Sequence, residues 1–341
     1  MNTIWLLAVV VGVSFLATGA LRKYALARSL IDVPNARSSH SVPTPRGGGV
    51  AIVLSFLLAL PILAWTDAIA WATALALLGA GGWIAIIGFL DDHGHIAARW
   101  RLLAHFSGAL WALFWIGAMA PISVFGYTFN LGWFGYVIGA FYLVWMLNLY
   151  NFMDGIDGLA SVEAICACVG ASVVYWIGGH ASLAVAPLVL TMAVFGFLAW
   201  NFPPAKIFMG DAGSGFLGIV LAVLSLHAAW TDPLFLWAWL ILLGVFIVDA
   251  TFTLIRRLLR GDKVYEAHRS HGYQYASRKF RSHRAVTVAI AAINMLWLVP
   301  VAILVVMQYL DGAVGLLLAY VPLVLLAFKF HAGELEIADN A

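Results

Sequence analysis

The chain has 341 residues, of which 64% are hydrophobic and only 10% charged, with a formal net charge of +2 and a mean hydropathy of +0.97. A soluble chain of this length would be about a quarter charged, so a soluble globular enzyme is excluded, and no stretch between apolar runs is long or polar enough to form a separate soluble domain. Nothing in the sequence resembles a nucleic-acid-binding module.

Apolar runs of about 20 residues recur along the chain, each long enough to cross a ~30 Å hydrocarbon core as a helix. Inside lipid every backbone polar group must be satisfied within its own segment, which favours helices. The runs predict spans near 3–21, 48–66, 71–90, 102–118, 134–150, 162–178, 183–200, 213–230, 234–255, 285–308 and 313–330. The expected fold is therefore all-α, a single polytopic helical domain over 1–341 with about 10–11 spans. Residues 119–133 carry the weakest pattern. In the first run the positive charges follow the apolar residues instead of preceding them, so it reads as a retained span and not as a cleaved leader. Cys166 and Cys168 sit mid-span, two residues apart on different helix faces, and read as small buried residues.

Charge orients the set. All eighteen Lys and Arg residues fall in or beside the loops after the odd-numbered spans, and the opposite loops carry Asp67, Asp232 and Asp311 with no base. By the positive-inside rule the odd loops are cytoplasmic, the N-terminus lies outside and the C-terminus inside.

Five polar stretches interrupt the apolar pattern, and all fall in odd loops: DVPNARSSHSVPTPRGGG (32–49), DDHGHIAARWR (91–101), NLYNFMDGIDG (148–158), NFPPAKIFMGDAGSG (201–215) and the segment from RRLLRGDK to HRSHGYQ (256–274). A channel or transporter more often places polar residues near mid-membrane, at broken helices. Polar residues gathered at one rim suit chemistry between a soluble reactant and a membrane-anchored one. Asp91 and Asp92 are adjacent carboxylates, which raise each other's pKa unless a cation or a base such as Arg99 or Arg101 compensates. Asp211, among Gly210, Gly213 and Gly215, is either a helix N-cap or a ligand for a hard divalent cation near a phosphate-binding helix start. Asn148, Asn151, Asp154 and Asp157 recur every third residue, which places four oxygen-bearing side chains along one stripe of a helix end or turn. They either cap that end or hold a cation, base or sugar. His268, Arg269 and His271 lie in a loop that also holds Arg256, Arg257, Arg260 and Lys263, a charge density suited to phosphate. Asp249, inside an apolar run, is a functional candidate or an interfacial residue.

In this order the stretches resemble the polyprenyl-phosphate N-acetylhexosamine-1-phosphate transferases, the MraY/WecA-type membrane enzymes of glycosyltransferase family 4. The resemblance runs from Asp32 to Gln274. It rests on D-x-P-x-x-R-x-x-H (Asp32, Pro34, Arg37, His40) followed by TPRGGG, on GFLDD (Gly88–Asp92), on N-x-x-N-x-x-D-G-x-D-G-L (Asn148–Leu159), on F-M-G-D-x-G-S (Phe208–Ser214) and on H-R-x-H-x-Y-Q (His268–Gln274).

The resemblance implies transfer of N-acetylhexosamine 1-phosphate from a UDP-sugar to polyprenyl (undecaprenyl) phosphate with release of UMP. It implies Mg²⁺, with Mn²⁺ as a substitute, held by Asn151 and Asp211. Asp157 and Phe208 would meet the uracil, and Asn148 and Asp154 would line the nucleotide site. Arg101, His268, Arg269 and His271 would hold phosphates, and Asp91 and Asp92 would serve the lipid phosphate as the catalytic pair. The implied partners are UDP-N-acetylhexosamine, polyprenyl phosphate and membrane lipids, with no nucleic acid; a homodimer is compatible. The implied setting is the bacterial inner membrane, with the site facing the cytoplasm. HRSHGYQ lacks the histidine-rich run of the peptidoglycan branch, and RSSH with PTPRGGG is similar to enzymes that begin O-antigen synthesis, some of which use 6-deoxy sugars such as N-acetylfucosamine or N-acetylquinovosamine. The rival readings are a polyprenyl diphosphate phosphatase, which needs no nucleotide site, and a transporter of lipid or nucleotide sugar.

Overall fold

A computed structural model describes residues 3–34, 42–94, 96–262 and 268–335. Arg37 and His40 of the first motif and Lys263 of the basic loop lie outside the described residues.

Helices stand at every predicted span: α1 (Thr3–Ala27), α2 (Val50–Trp65), α3 (Trp71–His93), α4 (Ala98–Ile116), α5 (Phe134–Phe152), α6 (Leu159–Ile177), α7 (Val185–Asn201), α8 (Asp211–Ala229), the pair α9 (Pro233–Leu242) and α10 (Gly244–Leu259), the pair α12 (His283–Ile293) and α13 (Val299–Val306), and α14 (Gly312–Lys329), with a short α11 (Gly272–Phe280) after α10. Among the described residues seven rods are long and apolar enough to cross a membrane by themselves, and the α9–α10 pair makes an eighth. The protein is a polytopic helical membrane protein. α2 is apolar but has only 16 residues.

Two predicted spans are not straight. The run 234–255 breaks at Leu243, where φ is −93° and ψ 11°, and α10 leaves α9 at 69°. A straight continuation would hold Asp249 inside the apolar run, where a charge is costly. In the bent pair Asp249 joins the polar residues at the start of α11. The run 285–308 widens into a π-turn at Asn294–Leu298. Pro300 follows; a proline has no N–H and its ring presses on the carbonyl four residues back, and a widened turn relieves both.

One apolar core joins the helices. α8 lies at its centre, buried along nearly its whole length between α2, α3, α5 and α9. Its small residues let neighbours approach closely, the usual basis of helix packing in lipid. Cys166 and Cys168 are free and buried, as expected. The poorly patterned stretch 119–133 holds a hairpin, β3 (Ile122–Val124) and β4 (Tyr127–Phe129). It closes the end of the bundle opposite the motifs: Trp237 Nε1 donates to the Ser123 carbonyl at 2.8 Å, and Phe125 N to Asp311 Oδ2 at 2.6 Å. At the motif end, β1 (Ile31–Asp32) pairs antiparallel with β2 (Thr44–Pro45).

Candidate active site

The motif loops meet because two of them pair through backbone. Phe208 N donates to the Pro45 carbonyl at 2.8 Å, and Gly48 N and Gly49 N donate to the Phe208 and Met209 carbonyls at 2.9 Å. A Cβ on Gly49 would stand 2.5 Å from Gly213 Cα, so only glycine admits the crossing of PRGGG over the start of α8. On the other side a Cβ on Gly88 would stand 2.5 Å from the Asp211 carbonyl. GFLDD thus reads in three dimensions as a glycine that lets α3 reach the N-terminus of α8, followed by two acids beside it.

Those acids have different surroundings. Asp92, only 8% exposed, places Oδ2 3.4 Å from the Ala212 backbone N–H, and Arg46 donates to its backbone carbonyl while lying 3.9 Å from Oδ1. Asp91 pairs with Arg101 Nη1 at 2.5 Å and accepts from Ile96 N at 2.8 Å.

Asn151, on the last turn of α5, donates through Nδ2 to Asp211 Oδ1 at 3.1 Å and to Ser214 Oγ at 2.9 Å. Asn148, one turn earlier, donates to the Val144 carbonyl at 2.7 Å and faces His105 Nδ1 at 3.4 Å. A cavity of about 200 Å³ brings together Asp91, Arg101, His105, Asn148, Asn151 and Asp211, with Ile84, Ile87, Leu102 and Leu147 forming its apolar side.

The predicted single stripe of four is therefore split. α5 ends at Phe152, and Asp154 and Asp157 lie in the turn before α6. Asp157 faces a second, larger groove of about 640 Å³ that also holds Thr44, Phe208, Arg281 and Arg284. Its Oδ2 accepts from Ala205 N at 3.0 Å, and Oδ1 lies 3.3 Å from His283 Nδ1. Asn148 belongs to the small cavity with Asp91 and Arg101, not to the groove of Asp157. Asp154 sits between the acids. Burial first, then the carboxylates of Asp211, Asp92 and Asp157, push its carboxyl well above the usual range.

The basic loop is built differently from its charge pattern. Arg257 and Arg260 pair with Asp262, and Arg256 pairs with Glu334 at 2.8 Å. Arg256 and Arg260 also donate to the Ala332 and Gly333 carbonyls, while Gly333 N donates to the Ser270 carbonyl at 2.7 Å. Arg256 and Arg260 clamp the segment after α14 against the loop and Arg257 is held by Asp262, so these arginines have partners within the protein. Asp249, left open by sequence, caps α11: Oδ1 accepts from Gly272 N at 3.0 Å and Oδ2 from Tyr273 N at 2.9 Å, with His271 Nδ1 at 3.3 Å. A carboxylate at a helix N-terminus is favoured by both the unpaired N–H groups and the dipole. His271 is buried and stacks on His268 at 4.8 Å and on Phe152, a lining residue of the small cavity, at 6.3 Å. Burial, followed by His271 and Arg257 nearby, pulls His268 down to about 3, so its ring is neutral at pH 7. Arg269 lends its backbone carbonyl to Arg278 Nη1 at 3.3 Å.

Several contributors were not singled out from sequence. Arg46 and Asn201 lie within quoted stretches but without a role of their own, and His105 and His283 carry no local signature, because each acquires its place only when distant helices meet. Asn201, for example, accepts from Gly158 N at 3.0 Å and donates to the Ile207 carbonyl at 2.9 Å, fastening two motif loops.

Among the described residues no three His, Cys, Asp or Glu side chains form a self-sufficient metal cage. The donor set nevertheless fits Mg²⁺. This ion takes one or two protein oxygens and completes its octahedron with water and phosphate. Asp211, the amide of Asn151 and the crowding of Asp92, Asp154 and Asp211 supply oxygen donors and an excess of negative charge that a cation offsets.

A family model described as glycosyl transferase family 4 matches residues 74–229. The chain is 32% identical over 292 residues to a probable undecaprenyl-phosphate N-acetylglucosaminyl 1-phosphate transferase of Bacillus subtilis, covering 84% of this chain and 80% of the relative. It is 30% identical over 322 residues to a decaprenyl-phosphate N-acetylglucosaminephosphotransferase of Mycobacterium tuberculosis, covering 82% and 76%. It is 31% identical over 231 residues to a phospho-N-acetylmuramoyl-pentapeptide-transferase of Streptococcus pneumoniae, covering 63% and 67%. With paired acids, amide and glycine-bounded aspartate gathered at one end of a membrane bundle, the chain belongs to glycosyl transferase family 4, within the polyprenyl-phosphate N-acetylhexosamine-1-phosphate transferase superfamily.

Proposed function

We propose that this protein transfers an N-acetylhexosamine 1-phosphate from a UDP-sugar to a polyprenyl phosphate. A terminal oxygen of the lipid phosphate attacks the sugar-bearing phosphorus, the bond from that phosphorus to the bridging oxygen breaks, and UMP leaves with the electron pair. The products are polyprenyl diphospho-sugar and UMP. The supporting observation is the adjoining of two different cavities at one end of the bundle. The small one has an apolar wall and the Asp91–Arg101 pair, which suits an amphiphilic phosphate. The larger one presents Asp157 and Phe208, a carboxylate and a ring that suit a uracil. Asp211, the first residue of α8, lines the small cavity three residues after Phe208 of the larger one.

In this reading Asn151 and Asp211 hold Mg²⁺, which would neutralise charge on the diphosphate when bound. Phosphoryl transfer depends mainly on positioning and charge neutralisation. Arg101 pairs with Asp91 and adds a cation for the lipid phosphate. Asp92 is fixed by Arg46 and by the Ala212 N–H, so it orders the start of α8, whose N–H groups face an incoming anion. A phosphate monoester with a second pKa near ~6 is largely dianionic at pH 7, so the acid pair positions it more than it deprotonates it. His268 connects to the edge of the small cavity through the His268–His271–Phe152 stack, and Arg269 is its neighbour in sequence. The gathering of the bases among the described residues at the motif end supports a cytoplasmic site in a bacterial inner membrane. The donor sugar is assigned to the N-acetylhexosamines, with 6-deoxy members and entry into O-antigen synthesis as the finer reading.

The test is a panel of UDP-N-acetylhexosamines offered to the detergent-purified protein, with UMP release as readout. UMP formed only when both polyprenyl phosphate and Mg²⁺ are present supports the reading. No UMP from any donor overturns it.

A further inference from the structure

His105 belongs to none of the motifs, yet its ring lines the small cavity beside Arg101, Asn148, Asn151 and Asp211. Its tautomer can be read from its neighbours. The Val144 carbonyl can only accept, so the atom of the Asn148 amide 2.7 Å from it is the nitrogen, and that assignment fixes the amide orientation. The same amide nitrogen faces His105 Nδ1 at 3.4 Å. A neutral imidazole opposite an N–H donor accepts at that nitrogen, so the proton resides on Nε2. Among the described residues Nε2 has no hydrogen-bond partner of its own. The cavity is thus supplied with a neutral N–H donor held by a chain of two hydrogen bonds on α5.

The ligand of that donor follows from the wall around it. Ile84, Ile87 and Leu102 flank the ring, and Leu102 and its neighbour Leu103 are exposed on the outer face of α4. This is the side of the site open to lipid, whereas the nucleotide groove of Asp157 and Phe208 is lined by other residues. We propose that His105 binds the phosphate of the lipid acceptor directly, donating from Nε2–H, while Asn148 serves as the positioning residue that fixes the ring. The proposal rests on the phosphosugar-transfer reading above. It assigns Asn148 to the lipid side, in place of the nucleotide contact that the motif implies.

The experiment compares His105→Leu, His105→Gln and His105→Asn in purified, monodisperse protein, measuring KM separately for polyprenyl phosphate and for the UDP-sugar. A lost hydrogen bond to a charged group is worth a tenfold or larger effect. The expected result is a KM for polyprenyl phosphate raised about tenfold or more in His105→Leu, with the UDP-sugar KM within about twofold of wild type. His105→Gln, whose amide nitrogen reaches the place of Nε2, restores the lipid KM; His105→Asn, which reaches only the place of Nδ1, does not. Equal behaviour of the Gln and Asn variants, or a change confined to the UDP-sugar KM, overturns the proposal even if the Leu variant does not fold. Wild-type protein without UMP release would defeat the transfer reading itself. Active wild type with an unaltered Leu variant defeats only the role of His105.

Discussion

Asp157 and Asp211 lie on different cavities, and their replacement should separate binding from chemistry. Asp157→Ala removes the acceptor of the Ala205 N–H and the neighbour of His283 without touching the Asp91–Arg101 cavity. It should raise the KM for UDP-sugar about tenfold, which is about 1.4 kcal/mol, and leave the KM for polyprenyl phosphate unchanged; steady-state kinetics with each substrate varied in turn checks this. Asp211→Asn keeps volume and removes charge at the proposed cation site. It should lower kcat by roughly 100-fold or more, with an unchanged melting profile in detergent. His268 gives a prediction of opposite character. Its folded pKa of about 3 lies below the ordinary value of 6.5, so below pH 6.5 the unfolded chain binds the proton more readily. Its contribution to stability is present above that value and is lost as pH falls toward 3. Wild-type protein should therefore lose more thermal stability than His268→Gln between pH 7 and pH 4, measured by melts in the same detergent. Equal slopes would contradict the buried, neutral ring.

The elements were more legible than their ends. Every predicted span has a helix because hydrophobic length is a property of contiguous residues, which a sequence displays directly. The bend at Leu243 was hidden by the same criterion, since α9 and α10 form one unbroken apolar run until Asp249. The cue was that acid, which a straight rod would have held inside the apolar run. The spacing of three from Asn148 to Asp157 does run over a helix end and a turn, but it does not show that the turn after Phe152 sends Asn148 and Asp157 to different cavities. Asp249 shows how much this rim depends on one side chain. Asp249→Ala leaves the Gly272 and Tyr273 N–H groups without their acceptor, a cost of about 1–3 kcal/mol for each buried group left unpaired. The expected outcome is a lower melting temperature together with reduced activity, because α11 carries the His271 stack that borders the cavity. Circular dichroism melts and UMP release on the same preparation check both.

At the scale of the whole molecule, the five motifs share no local structure and become one site only through packing. Backbone pairing of 45–49 with 208–209 and the close approach of Gly88 to α8 are long-range events that a sequence records only as glycines. The conjunction of motifs was legible; the division into two separate cavities was not, because it depends on which side of each turn a residue leaves the helix. The bases gathered at the motif end also predict orientation. Cys166 and Cys168 are buried, so an added cysteine at Arg281 should be labelled by a membrane-impermeant maleimide in inside-out vesicles only, and one at Tyr127 in right-side-out vesicles only. The central claim is that two cavities pass a phosphosugar from nucleotide to lipid. It is tested most directly by following the label from [β-³²P]UDP-N-acetylhexosamine incubated with purified protein and polyprenyl phosphate. The account predicts that the label moves with the sugar into the organic-extractable lipid as UMP appears in water; label remaining in the aqueous phase as sugar phosphate or inorganic phosphate while UMP forms would contradict it.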